Sequence, residues 1–327
     1  MIRMALQQIT RTGQSGSDPQ GLTLSRSTLH LSGPKLRTAL ERLIGASEQL
    51  GGIEAFANAV RLKSIVFQDR LGDGKAAKLT RAEFDEIVPL MPTVRRRIGA
   101  LIAGRAWDDV RAAIVALLDR AHDTTIADQR IAAFESALRA HEGLRGPQTR
   151  APGAEPLDPT FERASQRSRD ANLRCLRDLA AEILHNTLPE HYPLMQRWVW
   201  DAKGNSGVIR EIWHDPSGAG EDTDRIVIDV PDTYETFLVL REELSQFLAD
   251  NGVFRDMLWH VDLVCAQVYG DYINAQGGAW LKTEFGSETD PLEHTRRIMG
   301  LDRVSRQTRE TVSGEWPVVS GAIGKDG

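Results

Sequence analysis

The sequence predicts a mainly α protein in two parts, an N-terminal helical domain followed by a C-terminal α+β domain with a small antiparallel sheet. Three features of the 327 residues carry that reading. Apolar residues recur at helical spacing from Ser32 to Glu142, a Pro/Gly-rich break follows, and two alternating runs flank a glycine-bearing turn after Arg197. The expected boundaries are a loose tail over 1–30, the helical domain over 31–142, a linker over 143–160, the second domain over 161–312 and a tail over 313–327.

In the first half, Pro34 behind Ser32 and Gly33 marks a helix start, with Leu36, Leu40, Leu43 and Ile44 on one stripe up to Gly51-Gly52. Segments 53–60 and 64–71 follow, closed by Gly72-Asp73-Gly74. Thr80 with Glu83 forms a capping box for the next helix, which Pro92 ends. Helices over 93–104, 106–121 and 124–141 complete this half. The linker holds Pro147, Pro152, Pro156 and Pro159, a density that prevents helix.

In the second half, a helix over 161–188 precedes three expected strands: 197–201, then 207–214 across the turn Ala202–Ser206, and 225–230, stopped by Pro231. Helices over 233–250, 255–276 and 291–299 close the chain.

Composition excludes several classes. Hydrophobic residues make up 41% and charged residues 26%, as in ordinary globular chains. No apolar run approaches the roughly 18 residues of a membrane span, and the N-terminus lacks the apolar stretch of a secretory signal. Cys175 and Cys265 are too few for a disulfide framework or a cysteine-built zinc site. A cytoplasmic setting is expected. Charge is uneven. Residues 1–150 hold 22 Lys and Arg against 16 Asp and Glu, and the remainder 18 against 30. Such a split can set a nucleic-acid-facing part against a part facing something else.

One segment carries a specific pattern. Counted from Ile53, Ala57 is the small residue that lets two helices approach, and Phe56, Val60, Leu62 and Phe67 seal the corner. Residues 50–90 resemble the helix-turn-helix of phage CII-type, lambda-repressor-like regulators. They share the Gly51-Gly52 opening, Leu71 at the end of the second helix and the start Lys78-Leu79-Thr80 with Glu83. The sequence departs from that pattern at the turn, where Arg61 stands in place of glycine. The resemblance implies a second helix in the major groove of duplex DNA. Lys63, Ser64 and Gln68 would then face base edges. Arg70, Lys75 and Lys78 would neutralise phosphates, with Arg95, Arg96 and Arg97 extending that contact.

The expected function is therefore a DNA-binding regulator whose acidic half senses a ligand, self-associates or meets a protein partner. The alternative is a non-catalytic accessory protein acting through protein contacts. A third reading is a metal-dependent, nuclease-like enzyme using Asp201, His214 and Asp229 at strand ends. No catalytic residue, cofactor or metal ligand is assigned. His185 and His191, six residues apart across Pro189, lack the helical spacing of a zinc pair. No phosphate-cradling glycine motif is present.

Overall fold

The computed structural model describes residues 28–140, 159–214, 227–281 and 292–303. These hold eleven α-helices: α1 Gly33–Ser47, α2 Gly52–Leu71, α3 Arg81–Ile87, α4 Ile98–Ile102, α5 Trp107–Leu118, α6 Ala127–Ala140, α7 Pro159–Thr187, α8 Val208–Ile212, α9 Tyr234–Asp250, α10 Met257–Leu281 and α11 Glu293–Ile298.

α2, α7 and α10 form the centre. α2 packs on both α7 and α10, α6 packs on α7, and α1, α8, α9 and α11 all pack on α10. Apolar burial is continuous across the two halves. Phe56 and Phe67 of α2 belong to the same core as Leu179 and Leu184 of α7 and Leu263 and Val264 of α10. Locally, the helix starts follow the expected chemistry. Thr80 accepts from the Glu83 backbone N–H at 3.2 Å, and the Glu83 carboxylate accepts from the Thr80 backbone N–H at 2.8 Å.

The expected sheet is corrected. The described residues contain no strand, only two isolated bridges, Leu31 with Trp213 and Asp201 with Ser206. The turn over 202–205 forms, but the chain leaving it enters α8. Val208, Ile209 and Ile212 explain this: all three are buried, which one helical turn achieves and an alternating strand does not. Residues 227–230 alternate in burial, with Val227 77% and Ile228 4% exposed. Side chains hold this segment instead of a ladder. Asn205 Oδ1 accepts from the Ile228 N–H at 3.1 Å, and Trp200 Nε1 donates to the Val230 carbonyl at 2.9 Å. Residues 225 and 226 lie outside the described residues, as do 143–158 of the expected linker, 1–27 of the expected N-terminal tail and all of the expected tail over 313–327.

The corner expected at Arg61 is also absent. α2 runs unbroken for 20 residues through it, so the first-helix and second-helix segments share one axis. The long helix expected over 93–104 is instead a series of turns over 92–97 followed by α4.

Candidate functional site

The turns over 92–97 and the segment 292–303 face each other across a cleft. Pro92 has no backbone N–H to continue a helix. The chain instead folds tightly, with Arg95 N–H bonding the Met91 carbonyl at 2.9 Å and Arg97 N–H bonding that of Val94 at 2.8 Å. Met91 and Val94 are buried and anchor the turn, leaving Arg96 and Arg97 exposed.

The opposite wall is α11 and the 3-10 turn Leu301–Arg303. Two glycines seat it. At Gly270 of α10 an added Cβ would stand 3.3 Å from Thr295 Oγ1 and 3.5 Å from His294 Cβ, so the absence of a side chain lets α11 lie close. Gly300 has φ +75°, and a Cβ there would fall 2.2 Å from the Leu90 carbonyl oxygen. This close backbone approach brings the two walls together. Arg95 then bridges them, donating through both guanidinium nitrogens to Asp302 at 2.8 and 2.7 Å and to the Pro89 carbonyl at 3.2 Å.

The cleft comprises two adjoining hollows of about 540 and 500 Å³ that share Arg95, Arg96 and Arg297. The first also carries Arg296, Arg303, Glu293 and Asp302, so among the described residues five arginines meet two carboxylates. The second has planar walls from Tyr269, Trp198 and His294. Tyr269 packs against Trp198 with ring centroids 5.6 Å apart. Among the described residues, Arg96 and Arg297 make no ion pair. A cleft with excess cationic forks and aromatic walls can take an anion and a flat group side by side.

The sequence-expected site residues separate into two groups. Arg95 and Arg96 line this cleft; Arg97 is exposed but does not line it. Lys63 and Ser64 are buried, at 3% and 0% exposure, and cannot reach a base edge. Lys63 Nζ meets Glu182 Oε2 at 3.3 Å and donates to the Met299 carbonyl at 3.1 Å, and Ser64 Oγ donates to the Asn186 carbonyl at 2.8 Å. Lys63 thus supports the end of α11 from beneath the cleft. Gln68 donates to Ser64 Oγ at 2.9 Å. Arg70 pairs with Glu86 at 3.0 Å and Lys75 with Asp69 at 3.2 Å, while Lys78 is exposed. None of these three lines the cleft.

Asp201, His214 and Asp229 sit on no strand. Asp201 Oδ1 accepts from the Gly204 N–H at 3.0 Å, a turn-forming role. Among the described residues no group of three or more His, Cys, Asp or Glu could hold a metal ion. The two thiols are buried, and burial, followed by the Asp178 charge, pushes that of Cys175 up to about 12.

Arg296, Arg297, Arg303 and Tyr269 are cleft residues that the sequence reading did not single out. The available signal was the pair Arg296-Arg297 in the last turn of a short helix, hidden by the net acidity of its half.

No known protein-family model matches the chain, and no curated protein or solved structure matches it either.

Proposed function

We propose that the chain is a nucleic-acid-binding protein that grips a phosphodiester backbone at this arginine cleft. The observation that carries the proposal is the concentration, among the described residues, of five arginines against two carboxylates, with Arg96 and Arg297 in no ion pair there, on a chain of net charge −6. Guanidinium forks match phosphate oxygens. A cleft lined by one sign of charge concentrates the opposite sign even on a protein of like net charge. The planar wall at Tyr269 favours a single strand over a duplex, because an unpaired base offers a face for stacking.

The test is fluorescence anisotropy with single-stranded and duplex oligonucleotides at ~50 mM salt, where phosphate contacts still bind strongly. Single strands should bind more tightly. The double variant Arg96→Glu/Arg297→Glu should weaken binding and reduce the salt slope by about 0.7 per lost contact. Tighter duplex binding would instead favour the duplex DNA of the sequence reading. Unchanged binding by the folded double variant, or no binding by the native chain, would overturn the proposal. A second reading, an accessory protein working through protein contacts, draws on Phe254 and Val227, which stand 76% and 77% exposed on the acidic half. Concentration-dependent self-association lost in Phe254→Ser would support it.

A further inference from the structure

The geometry points to a divalent transition-metal site shared by His122 and His191, away from the arginine cleft. His122 lies in the turns after α5 and His191 in those after α7, 69 residues apart in sequence. His122 Nδ1 stands 3.0 Å from His191 Nε2, with the rings nearly perpendicular at 86°. Two imidazole nitrogens on one ion, at bonds of about 2.0–2.1 Å and angles from right to tetrahedral, stand roughly 2.9–3.4 Å apart. The pair already has the spacing of two adjacent ligands.

The backbone beneath each ring is fixed by other side chains. Arg130, itself 7% exposed, donates to the carbonyl of Asp119 at 2.7 Å and that of Arg120 at 3.0 Å. The buried Tyr192 donates its hydroxyl to the Ala121 carbonyl at 2.7 Å, and Tyr234 donates its hydroxyl to the His191 carbonyl at 2.8 Å. This holds both loops in register before any ligand arrives.

Imidazole selects ions such as Zn²⁺, Ni²⁺ and Cu²⁺ over Mg²⁺ and Ca²⁺, which prefer oxygen. Among the described residues no third His, Cys, Asp or Glu joins the pair. Both rings lie at the surface, so water fills the remaining coordination positions. In the metal-free pair one ring donates its N–H to the other. On coordination that ring exchanges tautomers through solvent, its proton moving to the other ring nitrogen, so the net proton count is unchanged. The bound ion staples the turns after α5 to those after α7.

The experiment uses the tag-free full chain. Zn²⁺ titrated by calorimetry should bind at one equivalent and raise the melting temperature by linkage, and Co²⁺ should give a visible absorption band. His122→Ala and His191→Ala should each lower Zn²⁺ affinity by at least the roughly 10–100-fold that changes behind a ligand already cost, while His214→Ala leaves it unchanged. His122→Gln and His191→Gln, which keep a polar side chain, serve where an alanine variant loses its fold. Absence of saturable Zn²⁺ binding would overturn the site. So would affinity that survives either histidine substitution, or loss equally caused by His214→Ala.

Discussion

The middle of α2 and the turns over 92–97 each carry basic residues within a short stretch, and the fold sends them in opposite directions. Lys63 points inward to Glu182 and the Met299 carbonyl. Arg96 points outward into a cleft, with no ion pair among the described residues. The difference arises from the neighbours. α2 is buried on two sides, between α7 and α10, and Ser64 shares the stripe of Ile53, Phe56, Ala57, Val60, Phe67 and Leu71. A cation beside that stripe must find a buried partner or be expelled. The 92–97 segment is fixed by two apolar anchors and a proline, and its arginines are left at the surface. A positive charge in sequence therefore carries no direction until the packing around it is known.

The largest expected effect comes from breaking the buried side. Lys63→Met leaves Glu182, 0% exposed, with its Asn186 and Thr93 bonds but no cation. Stability should fall by about 3–5 kcal/mol, read as a lower denaturant midpoint. Adding Glu182→Leu should recover much of that loss, because two apolar groups then replace a pair. Oligonucleotide sequence preference should not change, since Lys63 faces no solvent. A changed preference in a stably folded variant would return α2 to the binding surface.

Gly300→Ala tests the joint between cleft walls. The left-handed backbone alone costs a non-glycine residue roughly 1–2 kcal/mol, and the methyl would also collide with the Leu90 carbonyl. The variant should lose more than about 2 kcal/mol of stability and bind oligonucleotides more weakly, because the walls part. Full binding with full stability would show that Gly300 does not set the cleft.

Much of the helical frame was legible. The Thr80–Glu83 capping box, the α9 stripe of Phe237, Leu240, Leu244 and Leu248 and the turn at 202–205 can all be read from residue types a few positions apart. The α8 segment was not, because five residues of mixed apolar pattern fit a strand and a helical turn equally well. Its neighbours Trp198 and Val199, whose carbonyls accept from Val208 and Ile209, settle the choice. The cleft was half legible. Arg95 and Arg96 stood out as a basic run, whereas Arg297 reaches them through two long-range approaches, of Gly270 to Thr295 and of Gly300 to Leu90.

A further contrast on the buried side is His185. Burial alone would push its pKa down, but the Asp262 carboxylate at 3.0 Å and the Tyr192 carbonyl at 2.9 Å outweigh it and hold it above the usual histidine range. A raised folded pKa contributes stability that is fully present below the unfolded value of about 6.5 and is lost as pH rises through the folded one. The urea midpoint should therefore fall between pH 6.5 and more alkaline pH, and Asp262→Asn should flatten that fall. An equal slope in the variant would assign it to other groups.

The smallest expected effect belongs to an exposed arginine that already has partners. Arg81 Nε bonds both Asp85 oxygens at 2.9 Å, one turn along α3, and its guanidinium lies 6.0 Å from the Trp107 ring centre. Side-chain exposure of 43% and 50% leaves this pair in water, where such contacts contribute about 0.3–0.5 kcal/mol. The ring contact adds about 0.5–1 kcal/mol at an exposed site. Arg81→Ala should thus lower the denaturant midpoint only slightly, far less than Lys63→Met. Arg81 does not line the cleft, so oligonucleotide binding should match the native chain. Arg96→Ala should show the reverse, with stability kept and binding reduced. If Arg81→Ala weakened binding as much as Arg96→Ala, surface charge in general would be responsible, and the cleft would lose its claim to the phosphate.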